Sequence, residues 1–216
     1  MKLEEAKIII ENVANKPLGT LINNETEFSD IVTNKGKTGQ LLEKVILCQK
    51  LSSALHDFED GELKTNKCKS DGTPEETIAI TQISTDIDNL IQNIPFETSR
   101  LAQKIKNILY VGIVKEGDAH NWQFLSPIHI DFSQEKFQNI WHQLTEDYNN
   151  ICKKIKQDIE TNGEISTSNG CYIQIRTKDS TPYHPIFSNI YNKYVSNKNY
   201  AFYFKKNFIK DIMKIN

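Results

Sequence analysis

Hydrophobic and polar positions change their rhythm along this chain, and each change predicts a different element. Near the start, Leu3, Ala6, Ile10 and Val13 recur at helical intervals, which predicts a helix over Leu3–Val13. Lys16-Pro17-Leu18-Gly19 breaks that pattern, and a short second helix is expected after it. Asn34-Lys35-Gly36-Lys37-Thr38-Gly39 is a polar turn opening a stronger helix over residues 40–51, with Leu41, Leu42, Val45, Ile46 and Cys48 on its apolar side.

The period then shortens. Glu62-Leu63-Lys64-Thr65 alternates, and residues 77–83 are β-branched and alternating, so both read as strands. Residues 107–114 are almost continuously apolar, as in a strand buried on both faces. Residues 122–130 add a strand or two, interrupted by Pro127. Residues 132–160 form a long amphipathic helix through Phe137, Ile140, Trp141, Leu144, Tyr148, Ile151 and Ile155. It is expected to open at Ser133, with Lys136 where a capping box would carry an acid. Residues 171–176 and 200–204 read as two more strands, and 207–215 as a closing helix. The expected fold class is mixed α/β, a mixed β-sheet flanked by helices. It is expected as a single domain over 1–216, with an N-terminal helical lobe (1–55) and a core with a C-terminal lobe (56–216).

Composition narrows the function classes. A hydrophobic fraction of 38% supports a core, and 25% charged residues is ordinary for a soluble chain. Met1-Lys2-Leu3-Glu4-Glu5 is acidic where a basic leader would stand, and no apolar run reaches membrane-span length, so a cytoplasmic protein is expected. Cys48, Cys68, Cys152 and Cys171 are scattered without zinc or disulfide spacing. The histidines form no helical ligand pair. A net charge of −2 does not advertise a nucleic-acid binder, so such a chain must gather its cations locally. The runs 35–37, 64–69, 100–106 and 205–210 allow that without requiring it.

Candidate chemistry concentrates near Glu62 and Lys64. Residues two apart on a strand face the same way, so this carboxylate and ammonium project side by side, with Asp57 delivered from the preceding turn. Two carboxylates suit Mg²⁺, which prefers oxygen ligands and keeps room for water and a phosphate oxygen. A lysine beside them favours hydroxide from a bound water, which is what phosphodiester hydrolysis needs. Glu43, on the predicted helix over 40–51, is a reasonable outer partner. An acid-x-lysine triplet such as Glu62-x-Lys64 occurs by chance in most chains of this length, so spacing alone favours a plain solvent-facing strand pair.

Several segments, in order, resemble the MutH family of methyl-directed mismatch-repair nucleases and related GATC-cutting restriction endonucleases. Asn34-Lys35-Gly36-Lys37-Thr38-Gly39-Gln40-Leu41-Leu42-Glu43 resembles the family's lysine-glycine turn and glutamate helix. Asp57-Phe58 with Gly61-Glu62-Leu63-Lys64-Thr65 resembles its catalytic core, and Gly72-Thr73-Pro74-Glu75-Glu76-Thr77 the hairpin after it. Phe96-Glu97-Thr98-Ser99 with Lys104-Ile105-Lys106 is similar to the central segment. Tyr172-Ile173-Gln174-Ile175-Arg176-Thr177-Lys178 and Phe202-Tyr203-Phe204-Lys205-Lys206-Asn207-Phe208 complete the set.

The resemblance implies a restriction-endonuclease-like fold and a Mg²⁺-dependent endonuclease of double-stranded DNA, with Mn²⁺ able to substitute. Asp57 and Glu62 would bind the metal, Lys64 would complete the catalytic trio, and Glu43 would support it. Lys35 and Lys104 would contact phosphates. Arg176, Lys178 and Tyr203 would face DNA, the arginine reading guanine and the tyrosine sensing an adenine methyl group. The chain would act as a monomer or a DNA-induced dimer, with MutL as a partner if it serves repair.

Three departures bear on this. The Asp57–Glu62 gap is two residues shorter than in the repair nuclease, which leaves Glu59 and Asp60 as alternative first ligands. Thr177 replaces the usual proline, and residues 179–199 look nothing like the family's counterpart. Three functions follow: a restriction endonuclease cutting GATC or a related short palindrome, a MutL-activated repair nickase, or a non-catalytic DNA-binding module. Retention of Glu43, Glu62 and Lys64 argues against the third.

Overall fold

The computed structural model describes residues 1–22, 42 and 57–215. The expected turn at 34–39, the helix over 40–51 with Glu43, Lys35, and the lobe boundary at residue 55 lie outside the described residues. The described chain opens with helices α1 (Leu3–Val13) and α2 (Leu18–Leu21). Strands β1 (Glu62–Cys68) and β2 (Ile78–Gln82) follow, then helices α3 (Ile87–Gln92) and α4 (Arg100–Ile105). Next come β3 (Asn107–Val114), β4 (Gln123–Phe124), β5 (Ile128–Asp131) and helix α5 (Gln138–Asn162). The rest is β6 (Ser168–Asn169), β7 (Ile173–Thr177), β8 (Ile186–Ser188), β9 (Lys193–Ser196), β10 (Tyr200–Phe204) and helix α6 (Lys206–Ile215).

These elements form two compact units, the first of Met1–Glu76 with Lys106–Asp131, the second of Thr77–Ile105 with Phe132–Ile215. The first unit holds the mixed sheet. Its central strand β3 runs parallel to β1, from Glu62 beside Ile108 to Cys68 beside Val114, and antiparallel to β4 and β5. All but the first residue of β3 is buried, which is why the segment is apolar throughout. One sheet face presents Leu63, Leu109, Val111 and Ile113 to a core completed by Leu3, Ala6 and Ile10 of α1, with Leu18, Phe58 and Phe124. Full burial of each large aliphatic side chain contributes about 1.5–3 kcal/mol. Because strand side chains alternate, Glu62, Lys64 and Asn66 are left on the opposite face.

The second unit has an antiparallel sheet in the order β2-β10-β7-β6 and a separate β8–β9 hairpin. Its core is aromatic: Phe96 lies 4.8 Å from Trp141 and 5.3 Å from Tyr148, while Phe204 stacks on Phe208 at 4.0 Å. Buried Asp147 of α5 accepts hydrogen bonds from the backbone N–H groups of Cys171 (2.8 Å), Tyr172 (2.6 Å) and Ile173 (3.1 Å), fixing the entry to β7. Only glycine fits at position 170, since a Cβ there would overlap the Asp147 carboxylate.

The mixed α/β class and most strands match expectation, with β3 and β10 found at the expected bounds. The strands are shared among three sheets, however, and the mixed one comprises β1, β3, β4 and β5. Helix α5 starts at Gln138, not near Ser133, after a 3₁₀ turn over Glu135–Phe137. Phe132 and Phe137 both bury their rings, which meet edge-on at 5.9 Å. A continuous helix would point residues five apart roughly 140° away from each other, so the start is delayed. The helix ends at Gly163, whose φ of 84° suits glycine.

Candidate active site and nucleic-acid interface

Asp57, Glu62 and Lys64 meet in the first unit. A tight turn, closed by the Phe58 N–H donating to the Gly61 carbonyl at 2.9 Å, brings the chain into β1. Glycine is required at position 61 because a Cβ would stand 2.6 Å from both the Asn107 carbonyl oxygen and Leu3 Cδ1. The turn orients Asp57 so that Oδ2 accepts from the Leu63 N–H at 3.0 Å and lies 3.8 Å from Lys64 Nζ. Lys64 donates to Glu62 Oε2 at 2.5 Å. Glu62 is 1% exposed, so it meets Lys64 Nζ in a water-poor setting. Burial is the main cause that raises the Asp57 carboxyl above the usual carboxylate range, the Lys64 ammonium opposing it and Glu62 reinforcing it.

Glu59 and Asp60, the alternative first ligands, face elsewhere. Glu59 accepts from the Met1 amino group at 2.7 Å, and Asp60 Oδ1 accepts from the Leu3 N–H at 2.8 Å at the start of α1. Asp57 is thus the described aspartate that converges with Glu62 on Lys64. Two carboxylates of hard oxygen donors fit a Mg²⁺ ion that keeps several waters. Among the described residues there is no group of three or more His, Cys, Asp or Glu side chains able to hold a metal.

Sequence reasoning missed Asn66 and Tyr110. Asn66 follows Glu62 and Lys64 on the same strand face, and Tyr110 pairs with Lys64 across the parallel ladder. The Tyr110 hydroxyl donates to Asn66 Oδ1 at 2.6 Å, while Asn66 Nδ2 donates to the Glu76 carbonyl at 3.0 Å. Burial raises the Tyr110 hydroxyl well above its usual range, so it stays a neutral donor. The 62-64-66 alternation was the available signal.

Of the described residues among those predicted, Lys104, Arg176, Lys178 and Tyr203 lie in the second unit. Arg176, exposed on β7, places its guanidinium 4.1 Å from the ring centroid of Tyr203 and donates to Thr77 Oγ1 at 2.9 Å. Tyr203, on the adjacent β10, is 8% exposed. Lys178 stands just past β7, its N–H donating to the Asn199 carbonyl at 2.9 Å. Lys104 sits half-buried in the last turn of α4, a helix whose start is capped by Ser99 Oγ accepting from the Ala102 N–H at 3.1 Å. The structure therefore groups Asp57, Glu62 and Lys64, and separately Arg176 with Tyr203.

A mixed α/β chain with a carboxylate-lysine pair at the start of its first sheet strand has the features of a restriction-endonuclease-like fold. A sequence model of the family described as DNA mismatch repair enzyme MutH matches residues 31–142, just over half of the chain. The chain belongs to this family of DNA endonucleases. Lys35, Glu43, Asp57, Glu62, Lys64 and Lys104 fall within the matched residues, whereas Arg176, Lys178 and Tyr203 lie beyond them. No curated protein matches the chain. No helix among the described residues is long and apolar enough to cross a membrane.

Proposed function

We propose that this chain is a Mg²⁺-dependent, sequence-specific endonuclease of duplex DNA that acts as a type II restriction enzyme at GATC or a related short palindrome. The observation that carries this reading is the Lys64 ammonium held against Glu62 with Asp57 3.8 Å away. Asp57 and Glu62 would hold the cation, with Glu43 as an outer partner. When bound, the ion supplies charge neutralisation at the phosphate and a more acidic water.

The chain's own groups do the rest. An ammonium has three donors, and Glu62 accepts one of them. Another can hold the attacking water beside the phosphate, where the positive charge favours its deprotonation. Asp57 would act as the carboxylate, the form that attracts both the Lys64 ammonium 3.8 Å away and a cation. Lys35 and Lys104 would neutralise phosphates along the duplex, which strengthens binding without selecting sequence. Arg176, with Lys178, would read base edges, and Tyr203 would report adenine methylation.

The alternative is a methyl-directed nickase that waits for MutL. Unmethylated, hemimethylated and fully methylated plasmid, incubated with the purified chain and Mg²⁺, separates the two. Double-strand cutting without a partner is the expected result, and the sequenced ends define the site. Feeble nicking that MutL stimulates would assign the chain to repair. Intact plasmid under both conditions would refute the nuclease reading.

A further inference from the structure

On the face of β1 that carries Glu62, Lys64 and Asn66, the lysine stands between two acceptors, each two residues away. Its ammonium goes one way, to Glu62 Oε2 at 2.5 Å, with Asp57 3.8 Å off. Asn66 is buried on the other side at the same spacing, yet its Oδ1 takes its hydrogen bond from Tyr110.

The ladder explains how the tyrosine gets there. Tyr110 of β3 pairs with Lys64, and Gly112 pairs with Asn66. The Tyr110 side chain leans along the strand, so that its hydroxyl oxygen lies 3.5 Å from where a Cβ of Gly112 would stand. From that place it donates to Asn66 Oδ1 at 2.6 Å. The other end of the amide is fixed as well, with Nδ2 donating to the Glu76 carbonyl at 3.0 Å. The amide cannot flip without losing both bonds. Tyr110 is 3% exposed and Asn66 7%, so the pair sits in the same water-poor setting as Glu62.

Resting on the reading that Lys64 assists phosphodiester hydrolysis, we propose that Tyr110 is a positioning residue for that reaction. By donating to Asn66 Oδ1 it occupies an acceptor that would otherwise compete for Lys64, and leaves the ammonium to Glu62, Asp57 and the reacting water. A buried acceptor is rarely left without a donor. Once the Tyr110 hydroxyl is removed, Lys64 is the cationic donor on the strand face of Asn66, and it reaches Asn66 over the same spacing by which it reaches Glu62. An ammonium has three donors, and one given to Asn66 is withdrawn from the water.

The test compares the full wild-type chain with Tyr110→Phe and with the double variant Tyr110→Phe/Asn66→Ala. Three quantities are read: single-turnover cleavage in Mg²⁺ of a duplex bearing the mapped site, affinity for that duplex in Ca²⁺, and the Lys64 ammonium resonance by nitrogen-15 NMR without DNA or metal. The resonance is assigned by its absence from Lys64→Arg. Tyr110→Phe should cut about tenfold more slowly, the worth of one redirected hydrogen bond, with unchanged affinity and a displaced ammonium resonance. The double variant lacks the competing acceptor, so it should recover most of the lost rate and return the resonance toward its wild-type position. Wild-type cutting by Tyr110→Phe, or an unmoved resonance in it, overturns the proposal. So does a double variant that cuts no better than Tyr110→Phe, or a loss of affinity in step with the loss of cutting, since either would make the pair a packing element only. A wild type that cuts no duplex would instead remove the hydrolysis reading, while the ammonium resonance would still decide whether Tyr110 holds Lys64 in place.

Discussion

The Arg176 guanidinium lies over the Tyr203 ring, 4.1 Å from its centroid, so the two groups proposed to face DNA form one cation–ring pair. A planar guanidinium can lie flat on a ring and still donate bidentately, which an ammonium cannot. If Arg176 reads a guanine, Arg176→Ala should cost about 1–3 kcal/mol of discrimination at that base pair. Arg176→Lys should keep non-specific affinity and lose most of the discrimination. Competition binding against single-base variants of the site checks this, and unchanged discrimination in both variants would count against the assignment.

Lys64→Ala and Glu62→Ala should each reduce cleavage about a thousandfold or more while sparing specific binding, because they remove charge arrangement and not the DNA-facing cations. Glu62→Gln discriminates further: it preserves shape beside Lys64 but withdraws the charge. Single-turnover cleavage with parallel anisotropy measures both quantities. Wild-type cutting by Lys64→Ala would show that the trio is not the catalytic set.

Cleavage should stop in EDTA, return with Mg²⁺ or Mn²⁺, and be replaced in Ca²⁺ by binding without turnover. The raised Asp57 carboxyl adds a pH signature. A cation competes with that proton, so apparent cation affinity should fall as pH drops through a range above the usual carboxylate value of 3.8. Titrating Mg²⁺ at several pH values reads the effect, and Asp57→Asn should abolish the competition along with most of the affinity.

Asp179 has the opposite sign. Burial opposes its ionisation, but hydrogen bonds from His184, Asn199 and Ser180 outweigh that and hold the carboxyl well below its usual value of 3.8. A depressed folded-state value contributes stability that is present above the unfolded value and is lost as pH falls through the folded one. Amide exchange at Asn199 and His184 should therefore accelerate in acid below the ordinary carboxylate range. In Asp179→Asn it should be fast at neutral pH and largely insensitive to acid.

Gly170→Ala should destabilise the chain by about 1–3 kcal/mol, the usual cost of overpacking, because its Cβ would overlap the carboxylate of Asp147. Asp147→Ala should cost as much or more, since it leaves three backbone N–H groups at the entry to β7 without their acceptor. Urea denaturation measures both.

Much of this protein is determined locally and was readable from the chain. The stripe of Leu3, Ala6 and Ile10 specifies α1, and the apolar run of β3 specifies a strand buried on both faces. The period of two places Glu62 and Lys64 on one face in any strand. Short elements were harder: Ile87, Leu90 and Ile91 mark α3, but six residues carry little pattern. The β8–β9 hairpin was missed because its outer face is aromatic where alternation calls for polar residues. Other features depend on parts of the chain that meet only on folding. The division of strands among sheets follows from distant pairings such as β1 with β3 and β2 with β10. The separate placement of Asp57, Glu59 and Asp60 is of the same kind: Glu59 meets the Met1 amino group and Asp60 the Leu3 N–H, while Asp57 lies 3.8 Å from Lys64. Local periodicity assigns a side chain to a face, whereas the partner it meets depends on which distant backbone donors and charges compete for it, and only the folded chain brings those competitors together.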